Sequence, residues 1–242
     1  MRATHFSHRL LALTLALALS LGACAVPAVQ YYTLAGAPRM AAAASATGGA
    51  GAGRVHIEVA PVGVPERLAR PQMVIRNDSD TDRRDGGSAN GADDAASSRL
   101  QVLEQQRWSS SFDSELRDAF AGAIAARAGA VDVTRGGRLP GQPVYRVAIR
   151  VRHLDAILDR QVDAGFGWTI TRSDDSRSAL CQATVSLPVG AGMDELVQGI
   201  EQAVAVAAGR IAAQIAQLQR GGSAICDPSQ PAGAVTSGPT RL

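Results

Sequence analysis

Lysine is absent from this chain of 242 residues. All 24 basic residues are arginine, they are interleaved with 22 acidic ones, and the formal net charge is only +2. A balance so near neutrality excludes the basic excess that footprints nucleic acid. Histidine is almost as scarce, since beyond the first 23 residues only His56 and His153 remain. No pair of histidines or cysteines has metal-ligand spacing, and no serine sits in a glycine-framed nucleophile elbow. The run from Gly48 to Gly53 precedes a strand instead of following one, so it is not a phosphate cradle. These absences leave no catalytic residue, no metal and no cofactor to assign. Both histidines read as surface or half-buried strand residues.

What is present begins at the N-terminus. Arg2 and Arg9 precede the uncharged Leu/Ala run Leu10 to Leu21, and Leu21-Gly22-Ala23-Cys24 resembles a bacterial lipoprotein cleavage box. The run has the length of a signal-peptide core and falls short of the about 20 apolar residues that span a bilayer. Residues 1–23 are therefore expected to be removed and Cys24 to be acylated. Each buried methylene of a palmitate-type chain contributes about 0.8 kcal/mol, so several chains hold a protein at the membrane. Ala25 stands where, in lipoproteins as a class, an aspartate marks retention in the inner membrane. The expected location is thus the periplasmic face of the outer membrane. With Cys24 lipidated, Cys181 and Cys226 are left in an oxidising compartment. Paired, they close a loop of about 45 residues and stabilise by about 3–4 kcal/mol. Unpaired, Cys181 is a buried strand residue and Cys226 belongs to the tail.

The mature chain has the length of one domain. Residues 24–53 read as a lipidated N-terminus and a flexible linker, because Ala35 to Gly53 is mostly Ala, Gly, Ser and Pro and cannot bury enough surface to offset ordering. That linker is expected to hold the folded part away from the membrane. The domain is expected over residues 54–226, with a disordered insertion at 77–98 and a disordered tail at 227–242.

Within the domain, Val55, Ile57 and Val59 alternate with His56, Glu58 and Ala60 in a strand that ends at Pro61. Leu100 to Trp108 is a less regular strand. A helix then starts near Ser109 to Ser111, carries Phe112, Leu116, Ala119, Phe120, Ala123 and Ile124 on one face, and stops at Gly129. Val131 to Thr134 reads as a short strand. Tyr145, Val147, Ile149 and Val151 alternate with Arg146, Ala148, Arg150 and Arg152, which gives one apolar and one arginine-lined face. Phe166, Trp168 and Ile170, and then Cys181, Ala183, Val185 and Leu187, repeat the alternation on either side of an Asp174-Asp175 turn. Three such strands in sequence predict an antiparallel meander. A last helix of about 25 residues begins near Met193 and Asp194 and presents Leu196, Ile200, Ala203, Ala207, Ile211, Ile215 and Leu218 on one face. The expected fold class is α/β: a single domain with a mixed sheet, an antiparallel meander and two long amphipathic helices.

The block from Pro61 to Pro71 fits no core periodicity. Pro61, Pro65, Pro71 and Gly63 predict an irregular, extended path outside the sheet. Two readings stand for it. In one, Pro61, Val62, Val64, Pro65, Leu68 and Pro71 form a partner-binding surface with Trp108 as an anchor. In the other, the block is a rigid crossover and Trp108 and Trp168 fill the core. Tyr31-Tyr32-Thr33-Leu34, the block from Val59 to Val74, and Arg107-Trp108 leading into the Phe112 to Phe120 helix resemble the ABC-type transport auxiliary lipoproteins. That family includes the lipoprotein component of the paraquat-inducible Pqi system. The resemblance runs from Tyr31 to about Gln219, and the polar insertion at 77–98 departs from it.

The resemblance implies a non-enzymatic, outer-membrane-anchored accessory subunit of an MCE-type system that moves lipids between the two membranes. The implied partners are the periplasm-spanning MCE-domain protein and, through it, the inner-membrane ABC transporter or permease, with a homo-oligomer suggested by such an assembly. A lipoprotein regulator of cell-wall synthesis and a periplasmic hydrolase are the rival readings.

Overall fold

Alternation of apolar residues and arginines produces the longest strand, Val144–Ile157, and the rest of the sheet is arranged around it. A computed structural model describes residues 28–34, 55–76, 100–137, 141–175, 177–222 and 226. Cys24, most of the expected linker, the insertion at 77–98 and the tail after Cys226 lie outside the described residues. The strands are β1 Gln30–Tyr32, β2 His56–Val59, β3 Gln72–Arg76, β4 Leu100–Trp108, β5 Val131–Asp132, β6 Val144–Ile157, β7 Gln161–Arg172 and β8 Ser178–Pro188. The helices are α1 Phe112–Ala128 and α2 Met193–Gln219, and a 3-10 turn covers Glu66–Leu68.

One edge of β6 pairs antiparallel with β7, which pairs antiparallel with β8. Its other edge is shared. β2 runs parallel to the first part of β6, from His56 beside Val144 to Val59 beside Val147. β3 meets the far end, parallel, at Arg76 beside Ile157. β5 lies outside β2, β4 is antiparallel to β3, and β1 is parallel to β4. The antiparallel meander is therefore confined to β6, β7 and β8, and the 8-stranded sheet as a whole is mixed. Short connections join β6 to β7 and β7 to β8, whereas β2 reaches β6 only after β3, β4 and α1, and long crossovers of this kind give parallel pairs.

Both helices cover one side of the sheet. Val147, Ile149 and Val151 of β6, Phe166, Trp168 and Ile170 of β7, and Cys181, Ala183 and Val185 of β8 point to that side and are buried. Phe120 of α1 meets Phe166 edge to face, with ring centroids 5.3 Å apart. Ala203, Ala207 and Ala208 of α2 have no exposed surface. Gly129, at φ 59°, ends α1 in the left-handed conformation that glycine adopts without strain, and its N–H reaches the Ala125 carbonyl. β5 stops after Asp132, shorter than the expected Val131 to Thr134 strand. Its continuation turns so that Thr134 Oγ1 accepts from the Val59 N–H at 2.9 Å.

Three expectations are corrected. β1 precedes the Ala35 to Gly53 stretch and is already part of the sheet, so that stretch does not lie between Cys24 and the folded domain. The domain begins at β1, ahead of the expected boundary at residue 54. The Pro61 to Pro71 block does not run wholly outside the sheet. The Ala60 N–H donates to the Val147 carbonyl at 2.9 Å, the Gly63 N–H to Ile149 at 2.9 Å, and the Val151 N–H to the Gly63 carbonyl at 2.8 Å. The chain thus continues along β6 with a slip at Pro61, which has no N–H to donate. His56 is buried, at 5 % exposure, and its Nδ1 has no hydrogen-bond partner among the described residues. Cys181 and Cys226 are joined by a disulfide with Cα atoms 5.6 Å apart.

Candidate docking face and anchor junction

Glu115 lies in the first turn of α1, where an acidic side chain complements the helix dipole. Here it does more than that, because it is buried and its carboxylate collects five hydrogen bonds. Oε1 accepts from Ser109 Oγ at 2.6 Å, the Ser110 N–H at 3.0 Å and Ser110 Oγ at 2.8 Å. Oε2 accepts from Thr33 Oγ1 at 2.8 Å and the Leu34 N–H at 3.0 Å. Burial pushes this carboxyl up, but the hydroxyls of Ser109, Ser110 and Thr33 and the Leu34 N–H outweigh it and hold Glu115 below the ordinary glutamate range. The Ser109 N–H also reaches the Tyr32 carbonyl at 2.7 Å. Segment 28–34, next to the expected lipid anchor, is thereby fastened to the junction of β4 and α1. Ser111 occupies the helix N-cap, but its hydroxyl bonds Ser114 Oγ at 2.9 Å and makes no capping bond.

The side of the sheet away from the helices carries different chemistry. Arg146, Arg150 and Arg152 project from β6 into solvent and make no hydrogen bond or ion pair among the described residues. Acidic groups on this side include Asp155, paired with Arg76 at 2.8 Å, Asp163, which accepts from Gln161 Nε2 at 2.6 Å, Glu104, 3.7 Å from Arg107, and Glu58, in register beside Arg146. Tyr31 pairs in register with Arg107 while Tyr32 pairs with the buried Trp108, so Tyr31 points away from the core and is 66 % exposed. Val29, two residues earlier, shares that side of an extended chain. Leu100 alternates away from the core residue Ile75 across the β3–β4 pair, and Leu180, at 76 % exposure, sits beside the buried Cys181 on β8. All four exposed large hydrophobic residues among the described residues therefore share the helix-free side.

The predicted partner-binding residues are split by burial. Val62, Leu68 and Trp108 belong to the core, Trp108 stacking on Phe112 at 4.9 Å between centroids. Pro61 and Pro71 are exposed, and Val64 and Pro65 are half-buried. The sequence pattern gave no sign of this division, because a proline-rich path has no fixed inward period. His153 sits at an irregularity in β6 and its ring lies over Gly165 of β7. Among the described residues no cluster of His, Cys, Asp and Glu is arranged to hold a metal ion. The residue that pattern reading missed is Glu115, whose signal was the Ser109-Ser110-Ser111 run of hydroxyls that precedes it.

Comparison with known proteins places this geometry in a family. No curated protein matches the chain. The crystal structure of an uncharacterized protein is similar at a TM-score of 0.55 and 19 % identity, covering 78 % of this chain and 99 % of that one, and shares the fold. A DUF330 protein of Xanthomonas campestris is similar at a TM-score of 0.47 and 16 % identity, covering 69 % of this chain and 88 % of its own. The model of the family described as ABC-type transport auxiliary lipoprotein component matches residues 94–212, a stretch that runs from the start of β4 through most of α2. The chain belongs to that family, the auxiliary lipoproteins of ABC-type transport systems.

Proposed function

We propose that this chain is an outer-membrane-anchored periplasmic lipoprotein that serves an MCE-type ABC lipid-transport system by binding its periplasm-spanning MCE protein. The family match over residues 94–212 carries the reading, since it ties the domain to ABC-type transport. The box Leu21-Gly22-Ala23-Cys24, with Ala25 after it, supplies the anchor and its outer-membrane address. The role is binding rather than catalysis, in keeping with a family of transport auxiliaries. The part of the proline block outside the core, exposed Pro61 and Pro71 with half-buried Val64 and Pro65, is the proposed contact with the MCE protein, held rigid by its bonds to β6.

The test is photocrosslinking in cells from a probe at Pro65, combined with membrane fractionation of a Cys24→Ala variant. The expected result is recovery of an MCE-domain protein and loss of the variant from the outer membrane. Recovery of a cell-wall synthase without any MCE protein would replace this reading. So would a hydrolase activity abolished by changing His56 or His153.

A further inference from the structure

We propose that the helix-free side of the sheet rests on the anionic phospholipid surface in which the acyl chains of Cys24 are embedded. The inference depends on lipidation of Cys24 but goes beyond it, because an anchor alone does not fix which side of a domain faces the lipid.

The length of chain sets the distance. Ala28 is the first described residue, and four residues of fully extended backbone reach about 14 Å. β1 follows at once, pinned to β4 along its length and to Glu115 through Thr33 and Leu34. The sheet edge that holds β1 is therefore kept within about two headgroup layers of the acylated cysteine. A domain held this close to a membrane must present some surface to it.

The distribution of side chains selects which one. Val29 and Tyr31 lie at the anchored edge, Leu100 at the other end of β4 from Arg107, the register partner of Tyr31, and Leu180 on β8 at the opposite edge. Between them β6 displays Arg146, Arg150 and Arg152, with Glu58 of β2 in register beside Arg146. Arginines at phosphate depth, flanked by an aromatic ring and aliphatic side chains that dip below it, match the layering of a bilayer interface. Each arginine near an anionic leaflet contributes about 1 kcal/mol, and that attraction fades within a Debye length of about 8 Å at physiological salt. Turning the helix-free side toward the bilayer brings the arginines inside that range, whereas turning it away leaves them outside. Acidic residues on this side offset part of the positive charge: Asp155 is paired with Arg76 and Glu104 with Arg107, while Asp163, bonded only to the neutral Gln161 amide, keeps its charge and Glu58 stands beside Arg146.

The experiment uses the lipidated mature protein in vesicles of phosphatidylethanolamine and phosphatidylglycerol. Nitroxide labels are placed one at a time at Thr184→Cys, on the helix-free side, and at Gln202→Cys, on the exposed side of α2. The expected result is that the label at 184 reads at phosphate depth while the label at 202 stays in bulk water. Replacing Arg146, Arg150 and Arg152 together by glutamine is expected to lower the ratio of seated to unseated domains on the order of 100-fold. Circular dichroism and the unchanged label at 202 establish that this variant is folded. A label at 184 that reports bulk water in the native protein, with mass spectrometry showing acylated Cys24, would overturn this inference and leave the anchor standing. Unacylated Cys24 would overturn both. Protection of position 184 that arises only when a periplasmic protein partner is added would assign the face to that partner instead.

Discussion

Replacing Glu115 by glutamine should release the N-terminal strand while leaving the helix start largely intact. The reason is the division of its partners. Oε1 serves Ser109 and Ser110, and a glutamine oxygen turned that way keeps all three of those bonds. The new amide then faces Thr33 Oγ1 and the Leu34 N–H, and two N–H donors cannot satisfy each other. Hydrogen bonds to a charged group contribute about 1.5–3 kcal/mol each. Thr33 is exposed and regains water, so the net loss at this end should be about 2 kcal/mol, a roughly 30-fold faster exchange of the Leu34 amide.

Hydrogen exchange followed residue by residue is the assay, with the Ser110 amide as internal reference. Equal acceleration at Leu34 and Ser110, or none at either, would refute the argument. The same group has a pH signature. Its carboxyl is held below the ordinary range in the fold, so the unfolded chain takes up the proton first as pH falls. Its stabilisation is complete above the unfolded glutamate pKa of about 4.3 and drains away as pH drops through the lower folded value. The native protein should therefore lose stability as pH falls below about 4.3, and the glutamine variant should lack that part of the acid limb.

Three further perturbations follow from packing. Gly165→Ala places a methyl group against the His153 ring, which should cost about 1–3 kcal/mol in chemical denaturation, and His153→Ala in the same chain should recover most of it. Gln214→Ala removes the acceptor of the buried Trp168 Nε1–H at 2.8 Å, with an expected loss of about 1–3 kcal/mol and a shift in tryptophan emission. Replacing Cys181 and Cys226 together by serine should lower stability by about 3–4 kcal/mol, and treatment of the native protein with a reductant should have the same effect.

Much of the sheet was legible because burial imposes a period. In β6, β7 and β8 a residue every second place must face the helices, and Tyr145 to Val151, Phe166 to Ile170 and Cys181 to Val185 record that requirement directly. The helices were legible for the same reason, and Gly129 marked the end of α1 as expected. β1 was not, since Gln30–Tyr32 is too short to display a period and pairs with β4, a strand far along the sequence. The path from Ala60 to Gly63 was missed because three prolines conceal a ladder that uses only the N–H groups of Ala60 and Gly63 on that strand. His56 was read as a surface or half-buried strand residue by alternation with Ile57, yet it lies on β2 between β5 and β6 and is buried. Of the candidate site, the arginine face of β6 was written in the sequence. The Glu115 junction was not, because an acidic residue in a first helical turn ordinarily answers to the helix dipole alone.

Fixing β1 on β4 also changes the meaning of the Ala- and Gly-rich stretch from Ala35 to Gly53. Its two flanks, Leu34 and Val55, are both seated in the same folded body. The stretch is thus a closed span rather than a leash. Lengthening a span between fixed ends costs only loop-closure entropy, about 0.6 kcal/mol for each doubling, and leaves the height of the domain above the bilayer untouched. With Cys24 acylated as proposed, that height would be set instead by the few residues after it. Insertions are cheap in one segment and mechanically consequential in the other, although both read as featureless low-complexity chain.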